Sequence, residues 1–249
     1  MSDKMKIDEL KEFFGDKPFT NDELYNFYSH NEVDLKKTTF RWRVYNLKNQ
    51  GVIYSPKRGL YVTVSKKDFT PFIDRELSSL YKKIKYQFPY IDMCVWETMW
   101  LNNYTVHQSI SNNIIVEIEK EATASVFSFL QEFTENVYIN PGKHEIETYI
   151  LSGQRNIIIK KLAIDSPVEV KENIIIPRIE KIIVDLFVDD ELYVTYQGNE
   201  LKNIYIEFFH NFKINQSTLK RYATRRSVYN KLMTFLKEET KISDEELYI

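Results

Sequence analysis

The chain has one cysteine, six glycines and seven prolines in 249 residues. A lone thiol, Cys94, excludes an internal disulfide and any metal site built on several cysteines. Low glycine and proline exclude a low-complexity or loop-dominated chain. The glycines (15, 51, 59, 142, 153, 198) never fall in the spacing of a dinucleotide fingerprint or a P-loop. No apolar run approaches the roughly 20 residues that cross a bilayer, so no membrane partner is expected. The opening MSDKMKIDEL lacks the apolar centre of a secretory signal, and a cytoplasmic protein is expected. The four histidines (His30, His107, His144, His210) are far apart, and His144-Glu145 is not followed by the second histidine of a zinc protease. No metal and no cofactor are expected.

What the chain does have is an uneven distribution of charge. Basic and acidic residues nearly balance, 34 against 36. Yet residues 36–67 hold nine basic side chains (Lys36, Lys37, Arg41, Arg43, Lys48, Lys57, Arg58, Lys66, Lys67) and no acid, so the rest of the chain carries −11. A local excess of this size implies a polyanionic partner or a reason to tolerate self-repulsion.

The pattern within the window favours double-stranded DNA. Upstream, Ile7, Leu10, Phe13 and Phe14 recur at helical spacing, and Gly15 is placed to stop that helix. Thr20 and Glu23 form a capping-box signature for a second helix, with Phe19 and Leu24 as its staple. A third helix is predicted over 37–50. Its inward face carries Phe40, Val44 and Leu47, which places Thr38, Trp42, Tyr45, Asn46 and Asn49 opposite. Thr39 belongs to the same first turn. Arg41 and Lys48 lie on one flank and Arg43 on the other, with Lys36 and Lys37 at the start. A polar and aromatic edge for bases with cations beside it for phosphates is what a major-groove helix requires. Strands over 52–54 and 60–64 follow, joined by a turn at 55–59 that puts Lys57 and Arg58 at a hairpin tip. The whole reads as a winged helix-turn-helix. Two other readings stay open: Trp42 packing against another part of the chain, and a winged helix used for protein contacts.

Beyond residue 66 the pattern predicts a mixed α/β domain ending in helices. A connection and helix occupy 67–89, the helix over 75–87. Strands are expected over 91–96, 114–119, 137–139 and 157–162, with a hairpin over 168–170 and 174–176. Pro177 is placed to open a helix bearing Ile179, Ile182, Ile183 and Leu186. Final helices are expected over 200–212 and 217–239. The domain boundaries are thus 1–66, 67–89 and 90–249. A second acid-free window, 208–237, carries seven cations including Lys220, Arg221, Arg225 and Arg226. It is either a solvated helix face or a second basic surface, for nucleic acid or an acidic partner. Outside both windows, 18 basic residues face 36 acidic ones.

One constellation approaches enzyme chemistry. Asp92, Glu117 and Glu119, with Lys120, come near the arrangement in which carboxylates hold Mg²⁺ and a lysine activates water. The Glu-x-Lys spacing fails, because Glu119 stands where the lysine belongs. Solvent-facing strand charges are the default, and no catalytic residue is assigned. Cys94 is expected in the core. Asp185, Asp189 and Asp190 read as a helix end entering an acidic loop.

The segment TTFRWRVYNLKNQGVIYSPKRGLYV resembles the winged-helix start of AbiEi-type antitoxins, the transcriptional-repressor halves of type IV toxin–antitoxin pairs. The resemblance continues through CVWETMWLNNYTVHQ, VEIEKEATASVFSFL, PRIEKIIVDLF, YQGNELKNIY and LKRYATRR, in order along most of the chain. It implies a non-enzymatic protein whose winged helix binds repeats in its own promoter. It also implies a second domain that counters a nucleotidyltransferase toxin without a stable complex. By position, the DNA-contacting parts fall on residues 36–50 and on Lys57 and Arg58. The alternative is a nucleic-acid-modifying enzyme targeted by the winged helix, with a degenerate nuclease-like second domain.

Overall fold

The computed structural model describes residues 5–30, 32, 34–63, 66–110, 112–242 and 247. It is mixed α/β, and its buried apolar side chains form two separate cores.

The smaller core is built before residue 64. Helix α1 (Ile7–Phe14) ends at Gly15, whose φ of 56° suits a residue without Cβ. Thr20 caps α2 (Asn21–Ser29) reciprocally. The Glu23 N–H donates to Thr20 Oγ1 at 3.2 Å, and the Thr20 N–H donates to Glu23 Oε2 at 2.6 Å. Helix α3 (Lys37–Asn49) follows. A short strand β1 (Phe19–Thr20), without a signal in the sequence, joins β2 (Ile53–Lys57) and β3 (Leu60–Thr63) in an antiparallel sheet of order β1-β3-β2. The hairpin turn is tighter than the five residues expected. Lys57 pairs with Leu60, a bulge after Tyr54 absorbs Ser55 and Pro56, and Arg58-Gly59 make the turn with Gly59 at φ 79°. Val64 and Ser65, within the expected strand and connection, lie outside the described residues. Phe40 and Leu47 of α3 close the core with Leu10, Leu24, Phe27, Tyr28 and Ile53.

The larger core surrounds a four-stranded sheet. Helix α4 (Arg75–Gln87) is capped by Asp74, whose Oδ1 accepts from the Leu77 N–H at 2.7 Å. Strands β4 (Met93–Glu97), β5 (Ile114–Ile118), β6 (Val137–Ile139) and β7 (Ile157–Lys161) follow in the order β4-β5-β7-β6. The pair β4/β5 is antiparallel, and β7 is parallel to both β5 and β6. Helix α5 (Thr123–Gln131) links β5 to β6. The apolar runs of β4 and β5 are buried at every position, as covered strands require. Strands β8 (Val168–Lys171) and β9 (Ile174–Pro177) form the expected hairpin, and β9 packs along β4.

Three expectations are corrected here. Pro177 does not open a helix but ends β9 opposite Val168; Arg178 keeps extended backbone angles, so the next helix starts at Ile179. The single helix expected over 217–239 is two. A Ser227 φ of 60° separates helices running from Gln216 to Arg225 and from Tyr229 to Glu238, with no glycine or proline to mark the break. The connection over 67–89 is part of the larger unit. Phe69, Ile73, Leu77, Tyr81 and Ile84 lie in its core, and Lys67 exchanges backbone hydrogen bonds with Asn211 (2.8 Å) and Lys213 (2.9 Å). The C-terminal helices are α7 (Ile179–Val188), α8 (Asn199–Asn211), α9 (Gln216–Arg225) and α10 (Tyr229–Glu238), with α6 (Lys143–Glu145) before β7. Strand β2 of the smaller unit packs against α9.

Candidate nucleic-acid interface

Helix α3 buries the face that its apolar spacing requires. Phe40 and Leu47 are buried and Val44 is half-buried. Lys36, Lys37, Thr38, Thr39, Arg41, Trp42, Tyr45, Lys48 and Asn49 are exposed. Trp42 keeps 55% and Tyr45 64% of its surface, so neither ring is buried against the described residues. Lys57 and Arg58 are exposed at the hairpin tip. None of the six exposed cations forms an ion pair among the described residues.

The start of α3 breaks a local rule. Helix N-termini favour acidic side chains, because the first N–H groups carry partial positive charge. Here Lys36 occupies the cap without a capping hydrogen bond, Lys37 follows, and the first turn holds no acid. Unpaired N–H groups beside two ammonium groups favour an anion.

Two residues assigned to this face are less exposed than expected. Arg43, expected on the outer flank, is buried at 3% exposure. It follows Phe40 by three positions, which rotates it towards the core. Its Nη2 donates to Glu32 Oε1 at 2.7 Å, and its guanidinium stacks 4.7 Å from the Tyr28 ring centre. Burial pushes the Tyr28 hydroxyl up to about 12, with Arg43 acting against it. Asn46 is half-buried, and its Nδ2 donates to the Trp42 carbonyl at 2.8 Å. Thr38, Trp42, Tyr45 and Asn49 keep the exposed edge of the helix.

The second basic window is partly turned inward. Arg226 donates to Asp185 Oδ1 at 2.7 Å and reaches Asp189 Oδ1 at 3.5 Å, while Arg225 pairs with Asp165 at 2.8 Å. Lys220 and Arg221 remain exposed on α9, Lys220 with its ammonium 5.3 Å from the Tyr229 ring centre. A continuous basic surface across all four is therefore not present.

Arg226 is the outer member of an ion cluster that composition gave no sign of. Lys181, fully buried on α7, donates to both Glu117 carboxylate oxygens at 2.6 Å and to Asp185 Oδ2. The Tyr222 hydroxyl donates to Asp185 Oδ1 at 2.9 Å, and Lys160 donates to Asp189 at 2.5 Å. Three carboxylates meet three cations. Burial works against the Lys181 charge, but Asp185 and Glu117 outweigh it and hold its pKa well above the usual range. Burial likewise opposes ionised Asp185, yet Lys181, Lys160 and Arg226 hold its pKa low. A sequence signal exists: Lys181 and Asp185 are four apart on an otherwise apolar helix, and Glu117 interrupts an apolar strand.

This cluster corrects one reading: Glu117 does not face solvent. Asp185 and Asp189 stand at a helix end as expected, and the cluster pairs both. It also removes the nuclease-like constellation. Glu117 is sealed against Lys181, whereas Asp92 and Lys120 are exposed at the end of the sheet. Among the described residues, no three His, Cys, Asp or Glu side chains are grouped to hold a metal. Cys94 is buried, and burial raises its thiol pKa.

A second buried carboxylate lies at the end of β4. Glu97 meets Arg155 at 3.1 Å, and Arg155 also holds Asp74 (2.9 Å) and Glu76 (2.7 Å). Burial pushes Glu97 up to about 7, although Arg155 pulls the other way. A concavity of about 940 Å³ lies on the α1–α2 side between Phe13, Phe14 and Phe27, with Glu9, Glu12 and Glu23 among its lining. Its glutamates make it a poor seat for an anion.

The model of a family of unknown function, DUF6577, matches residues 39–242, and the chain belongs to that family. The match begins inside α3 and takes in the hairpin and the described larger unit. No curated protein matches the chain.

Proposed function

We propose that the smaller unit is a winged helix-turn-helix and that the chain is a non-enzymatic, DNA-binding transcriptional repressor. In this reading α3 enters the major groove and the β2–β3 hairpin is the wing. Thr38, Trp42, Tyr45 and Asn49 face base edges. Lys36, Lys37, Arg41, Lys48, Lys57 and Arg58 hold phosphates. The observation that carries the proposal is the outer face of α3. It pairs two exposed aromatic rings with unpaired cations, opens on two lysines, and includes no acid. Lys220 and Arg221 are exposed on the helix that packs against β2 and are candidates for a second basic contact.

The resemblance to AbiEi-type antitoxins supports a further step. The chain then autoregulates its operon by binding promoter repeats, and the larger unit counters a nucleotidyltransferase toxin without a stable complex. A neutral ion cluster at the centre of that unit accords with a protein that does no chemistry there.

A gel-shift titration on DNA upstream of its own gene tests the repressor. With about five phosphates neutralised, log affinity falls against log salt with a slope of roughly −4 to −5. Absence of a sequence-preferring shift at moderate salt overturns the reading. Co-expression with the product of an adjacent nucleotidyltransferase gene tests the antitoxin step; growth arrest without relief refutes it. Mg²⁺-dependent DNA cleavage by the purified chain would favour the enzyme alternative instead.

A further inference from the structure

Strand β8 is the outer member of its two-stranded sheet, and its far edge pairs with no strand among the described residues. The hydrogen-bond phase of that edge is fixed. The Arg178 N–H donates to the Pro167 carbonyl at 3.0 Å, so positions 167 and 178 are a hydrogen-bonded pair. In an antiparallel ladder such pairs alternate with non-bonded ones. Glu169/Ile176 and Lys171/Ile174 therefore face each other with bonds, and Val168 and Val170 turn their N–H and C=O groups to the open edge. Val170 is 71% and Val168 36% exposed. An unpaired edge carrying two exposed valines is a template for another strand.

The sequence of the edge, Val-Glu-Val-Lys, selects the strand that fits. Placed antiparallel to itself about an axis at Val170, it sets Val170 opposite Val170, which exchange two backbone hydrogen bonds. The same register sets Glu169 of each copy opposite Lys171 of the other, giving two cross-strand ion pairs. The next register with outward bonds, centred on Glu169, sets Glu169 opposite Glu169 and is opposed by like charge. An edge lysine ordinarily discourages pairing; here the glutamate two positions earlier answers it across the axis. We propose that two copies of this chain associate through β8, antiparallel, about a two-fold axis at Val170. The contact is isologous and closes on itself. It does not rest on the DNA-binding reading, although inverted repeats require a two-fold dimer.

Sedimentation of the full chain without DNA tests this, up to about 100 µM, because a four-residue edge makes a small interface. A reversible monomer–dimer equilibrium is expected. Glu169→Lys and Lys171→Glu, each turning two attractive pairs repulsive, weaken it at least about tenfold. The double variant Glu169→Lys/Lys171→Glu regains the dimer, since its edge is again self-complementary. Val170→Pro removes an N–H that β9 does not use and yields a monomer with an unchanged circular-dichroism spectrum. A wild-type chain that is monomeric throughout, single reversals that leave the dimer intact, or a double variant that stays monomeric each overturn the proposal.

Discussion

Replacing Lys181 with methionine tests the account of the larger unit. Its Nζ serves three carboxylate oxygens from a position with no exposure. Methionine fills a similar volume, so the cost is electrostatic rather than a cavity. Glu117 loses the partner of both its oxygens, while Asp185 keeps Arg226 and Tyr222. Stranding a buried charge by removing its partner costs about 3–5 kcal/mol. For a unit of this size that lowers Tm by roughly 10 °C. Urea unfolding followed by Trp96 and Trp100 fluorescence reads the effect, because both rings lie in the larger core.

Two further outcomes separate this mechanism from a general packing defect. In the wild type, Lys181, Lys160 and Arg226 hold the Asp185 pKa low, so this contribution is present above the usual carboxylate range and is lost as pH falls through it. With Lys181 gone, the cluster accepts a proton more readily, and the stability gap between variant and wild type narrows as pH falls from 7 towards 5. Glu117→Gln added to Lys181→Met removes the stranded charge and recovers a large part of the loss. A single variant costing under about 1 kcal/mol, or a double variant as unstable as the sum of the singles, refutes the reasoning.

Arg41→Ala and Arg43→Ala should part company. The exposed Arg41 affects stability by less than about 0.5 kcal/mol and lowers the DNA salt slope by about one. Buried Arg43 costs the smaller unit about 2 kcal/mol in urea unfolding, discounted because Glu32 is partly exposed; equal effects from the two would mean that α3 is phased wrongly. Lys57→Ala/Arg58→Ala should reduce the salt slope by about two across all DNA sequences, and a loss confined to one sequence would remove the wing from its phosphate role. Glu97, pushed up to about 7, keeps a proton in the folded state that the unfolded chain has lost by then. Stability should therefore fall as pH rises between the usual carboxylate range and 7, by at most about 1.4 kcal/mol per pH unit, and then level off. Urea midpoints across this range should be flat for Glu97→Gln, and a wild-type profile as flat as the variant's would dismiss the buried-acid account.

Legibility in the sequence followed the range of the interaction. The Thr20–Glu23 box, the stop at Gly15 and the phase of Phe40 and Leu47 are set within four residues, and all are in the structure. Strands β5, β6 and β7 announced themselves by apolar runs. What was missed depended on contacts distant in sequence. Strand β1 exists because Phe19 and Thr20 meet Tyr61 and Leu60. Arg43 turns inward because Glu32 and Tyr28 wait for it. The break at Ser227 falls just after Arg226, which reaches back 41 residues to Asp185. At the candidate interface, eleven of the thirteen residues assigned to DNA kept their exposure, and the two lost, Arg43 and Asn46, were lost to neighbours rather than to a wrong helix.

The two basic windows, alike in composition, have opposite fates, and this difference is the stronger argument for the interface. In 208–237, Lys213 meets Asp68, Arg225 meets Asp165, and Arg226 meets Asp185 and Asp189. Those three cations are spent in holding the acidic larger unit together, while Lys220 and Arg221 stay exposed. In 36–67, Arg43 is consumed by the fold and Lys66 reaches a backbone carbonyl, while the six cations of α3 and the hairpin tip stand exposed without an ion pair among the described residues. Acidic residues outnumber basic ones by two in the whole chain, so these six had ample acid to choose from. A fold that draws Lys213, Arg225 and Arg226 of one basic stretch into ion pairs and leaves the six cations of the other open concentrates positive potential on one helix face, beside Trp42 and Tyr45. Self-repulsion there is a cost that no ion pair among the described residues offsets, and a polyanion would offset it.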